Sequence, residues 1–272
     1  MNKSIQLIHD RRSVRTFGGR RLTEEDREKL LRFAAQLDNP YNIPLEFKLL
    51  DAADAPLKCP VVAGTEMFIG AKLPFAPHME EAFGFSFERL LLYALSLGIG
   101  SVWVGGTMDR AAFEQAMDLQ PHERMLCMSP LGYPAEKMSL RETMMRKGVK
   151  ADSRIPFEQL FFEGDFSHPL PQESAGVWAV LLEAVRLSPS AVNRQPWRVV
   201  LDGKSAHFYK KQSKGFISER NGDMQKIDMG IALTHFALAA QAQELALSFS
   251  LENPQIPVPE NVEYIASYLL ES

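Results

Sequence analysis

The sequence predicts a mixed α+β fold, with helices flanking a mixed sheet, internally duplicated within one chain. Helix-length amphipathic or apolar stretches alternate with short β-branched and aromatic runs, which is the pattern of layered helices and strands. Two pairs of segments resemble each other in the same order at a spacing of about 150 residues. The 272-residue length and ordinary globular composition, 46% hydrophobic and 24% charged, leave room for one large domain or two small ones.

The first half reads helix, helix, strand, core helix, strand, helix, strand. The second reads helix, strand, hairpin strand, core helix, strand and a short apolar tail, YIASYLL. Strands are expected near 45–51, 61–70, 101–104, 124–131, 198–202 and 206–210. LLRFAAQLDNPYNIPLEF (30–47) lies over LLEAVRLSPSAVNRQPWRV (181–199): each is an amphipathic helix, a turn with Pro and Asn, then a strand. AFGFSFERLLLYALSL (82–97) lies over DMGIALTHFALAAQAQ (228–243), with Gly84 on Gly230. The polar, proline-bearing stretch 163–174 is expected to link a first half, 1–162, to a shorter second half, 175–272.

Residues 90–108 carry no charged side chain and approach transmembrane length, but Gly98 and Gly100 punctuate the run and SVWV follows, so a buried helix turning into a strand is expected. No membrane partner is expected. The N-terminus has no apolar stretch of signal-peptide length, and the two cysteines, Cys59 and Cys127, sit in apolar surroundings without metal-ligand spacing, so a reducing, cytoplasmic setting is expected. A formal net charge of -4 supplies no field to attract nucleic acid, which leaves small-molecule chemistry as the default.

Three segments carry chemistry. Arg11-Arg12-Ser13-Val14-Arg15 gathers three guanidiniums and a hydroxyl, rigid forked donors suited to a phosphate, although a basic cluster near a terminus also reads as a solvated or salt-bridged one. Ser188–Trp197, SPSAVNRQPW, packs two prolines and several short polar side chains between a helix and a strand. Its donors can face the edge of a planar heterocycle or satisfy local backbone. Gly105-Gly106, after SVWV, either lets backbone approach a ligand or makes a tight turn. None of the six histidines stands out, and His235 inside an apolar helix reads as a core residue. Lys210, Lys211 and Lys214 read as a solvated hairpin, with a role at a pocket mouth as the alternative.

Together these segments, with LSLGIGSVWVGG, LGYP at 131–134 and SRIPFEQLF at 153–161, resemble the nitroreductase family over most of the chain. The resemblance implies a nitroreductase-like fold and a bound FMN. Arg11, Ser13 and Arg15 would contact its phosphate and ribityl chain, and Arg12 would lie near the pyrimidine end of the ring. Gly105 and Gly106 would supply backbone donors at N5. Arg154 would be a second phosphate-binding base, with Asp152 standing where a basic residue is common. Pro189, Ser190, Asn193 and Gln195 match residues that the neighbouring subunit contributes in ordinary, homodimeric members. Because the arginine motif occurs only in the first half and the turn is well kept only in the second, the resemblance implies a single-chain pseudo-dimer with one composite flavin site, and a monomer. Asp38 in the first half's counterpart turn would repel a phosphate.

The implied activity is two-electron transfer from NADH or NADPH to a small organic acceptor such as a nitroaromatic or quinone, by a double-displacement cycle in which the flavin carries the chemistry and no side chain acts as a catalytic group. The rival readings are a non-catalytic FMN-binding or sensing protein and a structural relic without flavin.

Overall fold

The computed structural model describes residues 2–271, which divide into two compact units. One comprises Asp10–Lys150 and Glu219–Gly222; the other comprises residues 2–9, Ala151–Ser218 and residues 223–271. The former is the first unit and the latter the second unit.

The chain starts with α1 (Lys3–Asp10), whose Ile5 and Ile8 are buried, followed by α2 (Glu24–Ala34). Thr23 caps α2 by accepting the Asp26 N–H, and Glu24, Glu25 and Asp26 place negative charge on the positive end of the helix dipole. Strands β1 (Glu46–Asp51) and β2 (Met67–Pro74) pair antiparallel; α3 (Met79–Ser96), β3 (Gly100–Ser101), α4 (Arg110–Ala116), β4 (Glu123–Arg124), β5 (Met128–Gly132) and α5 (Leu140–Gly148) complete the run. The sheet order is β1-β2-β5-β3, with β4 on the end of β2. Helix α3 is buried on nearly every side, as expected of a helix apolar all round. Phe68 packs edge-on against Phe113 in a core shared with Leu50, Val102, Met117 and Met128.

The second unit adds β6 (Phe161–Glu163), α6 (Ala179–Leu187), β7 (Trp197–Asp202) and β8 (Ser205–Lys211), and the short β9 (Ile217–Ser218) and β10 (Gly222–Asp223) follow in the chain. It closes with α7 (Met224–Ala242), β11 (Leu247–Ser250) and β12 (Val262–Leu270). Its sheet runs β11-β12-β8-β7-β6, with β6 parallel to β7 and the other pairs antiparallel. Each unit therefore has a five-stranded sheet and one long buried helix.

Several expectations need correction. The stretch 163–174 is not a linker: the Leu170 N–H donates to the Phe161 carbonyl, Phe162 bridges Pro169, and Leu170 is buried, so it is folded into the second unit. YIASYLL is no tail but most of β12, hydrogen-bonded on both edges. The strand expected at 61–70 starts only at Met67, because residues 59–64 turn, with the Val62 N–H on the Cys59 carbonyl, and Ala63 bonds to the Arg15–Phe17 segment instead. The strand expected at 101–104 is hydrogen-bonded only in part, since Val102 N–H turns to the Ser129 hydroxyl before Val104 rejoins Met128. Residues 90–108 are the end of α3, a turn at Gly98 with φ +77° and β3; among the described residues no helix is long and apolar enough to cross a membrane. Both cysteines are free.

Candidate cofactor site

In the first unit the arginine motif emerges from α1 in extended form and is bonded on both sides. Val14 N–H donates to Ser101 O, Ala63 N–H to Arg15 O, Phe17 N–H to Ala63 O and Gly18 N–H to Tyr133 O, all at 2.9 Å. Four backbone bonds over five residues set which way successive side chains point. Close approach is possible because residue 64 is glycine: an added Cβ there would lie 2.1 Å from the Phe17 carbonyl oxygen.

The arginines differ in their surroundings. Arg11 Nε lies 2.9 Å from Glu88 Oε1, a carboxylate fully buried on α3, and the other oxygen of Glu88 accepts Trp103 Nε1–H at 2.7 Å. One acid thus ties the arginine motif to the strand that leads into Gly105-Gly106. Arg12, more exposed, lies 3.5 Å from the buried carboxylate of Glu142 on α5. The Arg15 side chain has no ion pair or hydrogen bond among the described residues, and its Nε is buried. Burial is the main cause that lowers its pKa, opposed by Glu142 and helped by Arg146 and Arg11. A guanidinium N–H buried without an acceptor is costly unless a ligand supplies one. The Ser13 hydroxyl likewise has no partner among the described residues.

Gly105 is buried and Gly106 exposed, at the mouth of a cavity of about 430 Å³ that Met108, Asp109 and Arg220 also line. Beneath them lies Arg110, a buried arginine at the start of α4. Its Nη1 donates to Met125 O at 2.6 Å, and its Nη2 to Gly105 O at 2.7 Å and Leu126 O at 2.9 Å. Those carbonyls explain a further correction: the strand expected at 124–131 is split into β4 and β5, since the intervening backbone turns to Arg110 rather than to a neighbouring strand. Burial lowers the Arg110 pKa. A larger cavity, of about 560 Å³ beside Gly64, has a cation already engaged, Arg21 with Asp51 and Glu66.

In the second unit the turn after α6 is strained and heavily tied. Val192, Asn193 and Gln195 have φ of 43°, 59° and 49°, in the left-handed region disfavoured by side chains. Asp228, buried on α7, accepts the Ala191 N–H at 3.0 Å; burial raises its pKa well above the usual carboxylate range, while that N–H opposes the shift. Ser190 Oγ accepts Gln195 N–H at 2.8 Å, and Pro189 precedes it at the close of α6. Gln195 is 3% exposed and its Oε1 accepts Ile155 N–H, so its side chain locks the turn to 153–155; Asn193 Nδ2–H donates to Ser153 O. Arg154 turns into that same network, donating to the carbonyls of Ala151, Ser153 and Leu187. Arg198 donates to the carbonyls of Gln195 and Trp197, and burial lowers its pKa to about 10.

His235 is a core residue, 0% exposed, with Nδ1 3.1 Å from Ala184 O. Lys210 is not solvated: it is buried, paired with Asp223 and, at 2.8 Å, with Glu263. Asp38 is engaged by Arg89. The sequence reading missed Glu88, Arg110, Glu142 and Asp228. For Glu88 and Asp228 a signal exists, a lone acid within an apolar helix, FSFERLLL and KIDMGIAL.

Nitroreductase-type oxidoreductases, of the flavin-dependent kind, are the class to which this fold and these motifs point. The sequence matches, over residues 3–240, the family model described as "Putative TM nitroreductase", and the chain belongs to that family. It shares its fold with a protein of Thermotoga maritima described as a putative nitroreductase, at 21% identity and a TM-score of 0.60, over 99% of this chain and 93% of that one. A Desulfovibrio desulfuricans protein, described as a putative nitroreductase in complex with FMN, aligns at 21% identity and a TM-score of 0.40, over 53% of this chain and 95% of its own. No curated protein matches the sequence.

Proposed function

We propose that this chain is an FMN-dependent oxidoreductase that takes two electrons from NADH or NADPH and delivers them to a small organic acceptor such as a nitroaromatic or a quinone. The observation that carries the reading is Arg15: a buried guanidinium Nε without a partner among the described residues, in a segment whose backbone is bonded on both sides. The donor set suits a phosphate ester, with Arg15 and the Ser13 hydroxyl available and Arg11 held beside them by Glu88. Arg12 supplies positive charge, tempered by Glu142, where the pyrimidine end of the ring is expected. When bound, FMN supplies the two-electron chemistry. The protein binds and orients it and offers backbone donors at Gly105-Gly106.

By the motif pattern of the family, Pro189, Ser190 and Asn193 contribute to holding the same FMN, with Arg154 and Gln195 supporting that turn through the bonds described above. The test is direct. Purified protein is expected to be yellow with close to one FMN per chain, and Arg15→Ala and Asn193→Ala should each weaken FMN by about ten-fold, as loss of a charge-assisted or strained-turn contact does. Colourless protein that ignores added FMN refutes the cofactor. Two FMN per chain refute the single site. Anaerobic bleaching by NADH or NADPH marks an enzyme; flavin that neither nucleotide reduces marks a binding or sensing protein.

A further inference from the structure

The Gly105–Gly106 peptide has glycine on both sides, so sterics alone leave its plane free to turn over. In this structure one buried residue removes that freedom. Arg110 Nη2 donates to the Gly105 carbonyl at 2.7 Å and to Leu126 O, and Nη1 donates to Met125 O and lies 3.6 Å from Glu114 Oε1, so the guanidinium is held by three carbonyls and a carboxylate and meets the Gly105 carbonyl in a fixed orientation. In a trans peptide the C=O of one residue and the N–H of the next are antiparallel. A carbonyl drawn inward to Arg110 therefore turns the Gly106 N–H outward. No acceptor among the described residues engages that N–H, and Gly106 is exposed and lines the 430 Å³ cavity.

From this geometry we propose that Arg110 is a positioning residue: it locks the Gly105–Gly106 peptide so that the Gly106 N–H is a pre-aimed donor for the ring of the bound cofactor. The Arg110 donors that are engaged face protein groups, three carbonyls and the Glu114 carboxylate, so Arg110 acts through the peptide plane. This assignment rests on the reading of the site as an FMN site.

The experiment uses full-length protein with glycine labelled by ¹⁵N, without and with FMN, and the variants Arg110→Lys and Arg110→Met. In the wild type the Gly106 amide should exchange rapidly with solvent in the absence of FMN, and shift and become protected when FMN binds. In Arg110→Lys and Arg110→Met, FMN affinity should fall about five-fold, the size of one neutral hydrogen bond. The FMN-dependent protection of Gly106 should be lost in Arg110→Met even in molecules saturated with FMN. A folded Arg110→Met that keeps wild-type affinity and Gly106 protection overturns the proposal. If the variants do not fold, the wild-type amide decides: FMN binding that leaves Gly106 unshifted and unprotected overturns it, and protection upholds it. Wild-type protein that binds no FMN at all refutes instead the proposed function on which the assignment rests.

Discussion

Replacing Gly64 by alanine should disable the arginine motif without touching any of its residues. Gly64 has φ +81°, and an alanine Cβ would sit 2.1 Å from the Phe17 carbonyl oxygen and 2.9 Å from its carbon. Backbone atoms cannot rotate away as a side chain can, so the 63–64 and 15–18 segments must separate. The bonds at risk are Phe17 N–H to Ala63 O, Ala63 N–H to Arg15 O and Gly19 N–H to Gly64 O. The left-handed conformation costs a non-glycine residue about 1 kcal/mol, and each lost bond about 1 kcal/mol, so Gly64→Ala should destabilise the first unit by roughly 3–4 kcal/mol. Gly19→Ala is the control: φ is similar at +78° but nothing lies within 4 Å of the added Cβ, so only about 1 kcal/mol should be lost. Urea unfolding of both variants beside the wild type, without FMN, measures the difference, and FMN titration should show that Gly64→Ala alone weakens binding. Equal stabilities, within about 0.5 kcal/mol, would show that the 15–18 segment is not held against Gly64 as described.

Two further perturbations address the second unit. Burial raises the Asp228 pKa, so the folded protein holds that proton more tightly than the unfolded chain does; stability from this group is greatest at low pH and declines as pH rises above the unfolded value of about 4 towards the folded one. Asp228→Asn, whose Oδ1 still accepts the Ala191 N–H, should gain stability relative to wild type as pH rises from about 4.5 to 7, read from urea midpoints; an unchanged difference across that range would count against a raised pKa. Val192, 58% exposed with φ 43°, should be stabilised by about 1 kcal/mol on replacement by glycine, because relief of strain exceeds glycine's entropy cost; a loss of more than 1 kcal/mol in thermal unfolding would show that the turn is not strained there.

Much of the fold was legible because local signals and tertiary outcome agree. The apolar stretches 82–97 and 228–243 lack a polar face and became the buried α3 and α7; the strand expected at 198–202 differs from β7 by one residue. Legibility failed where distant partners decide. YIASYLL looks like a loose apolar end because nothing local reveals the two strands that flank it. The break between β4 and β5 depends on a guanidinium that comes from α4, and RAAFEQA looks like any helix start. Within the site, residue types were readable but their engagements were not. Gln195 matched a cofactor-contact pattern, yet its carbonyl oxygen is given to Ile155, and Glu142 gave no hint that it would face Arg12.

The division into units also orders events in time. Helix α1 is made before any of the first unit, yet Lys3–His9 belongs with segments that begin at Ala151, where Ile5, Ile8, Ala179 and Ala184 share the walls of one cleft. During synthesis this helix must wait, its two isoleucines uncovered, until more than half of the chain has followed it. Residues 219–222 make the reverse excursion into the first unit. A gene fragment cut at residue 150 would thus yield two pieces that each lack part of their own unit, and complementation between fragments, rather than independent folding, is the behaviour such a chain is built to show.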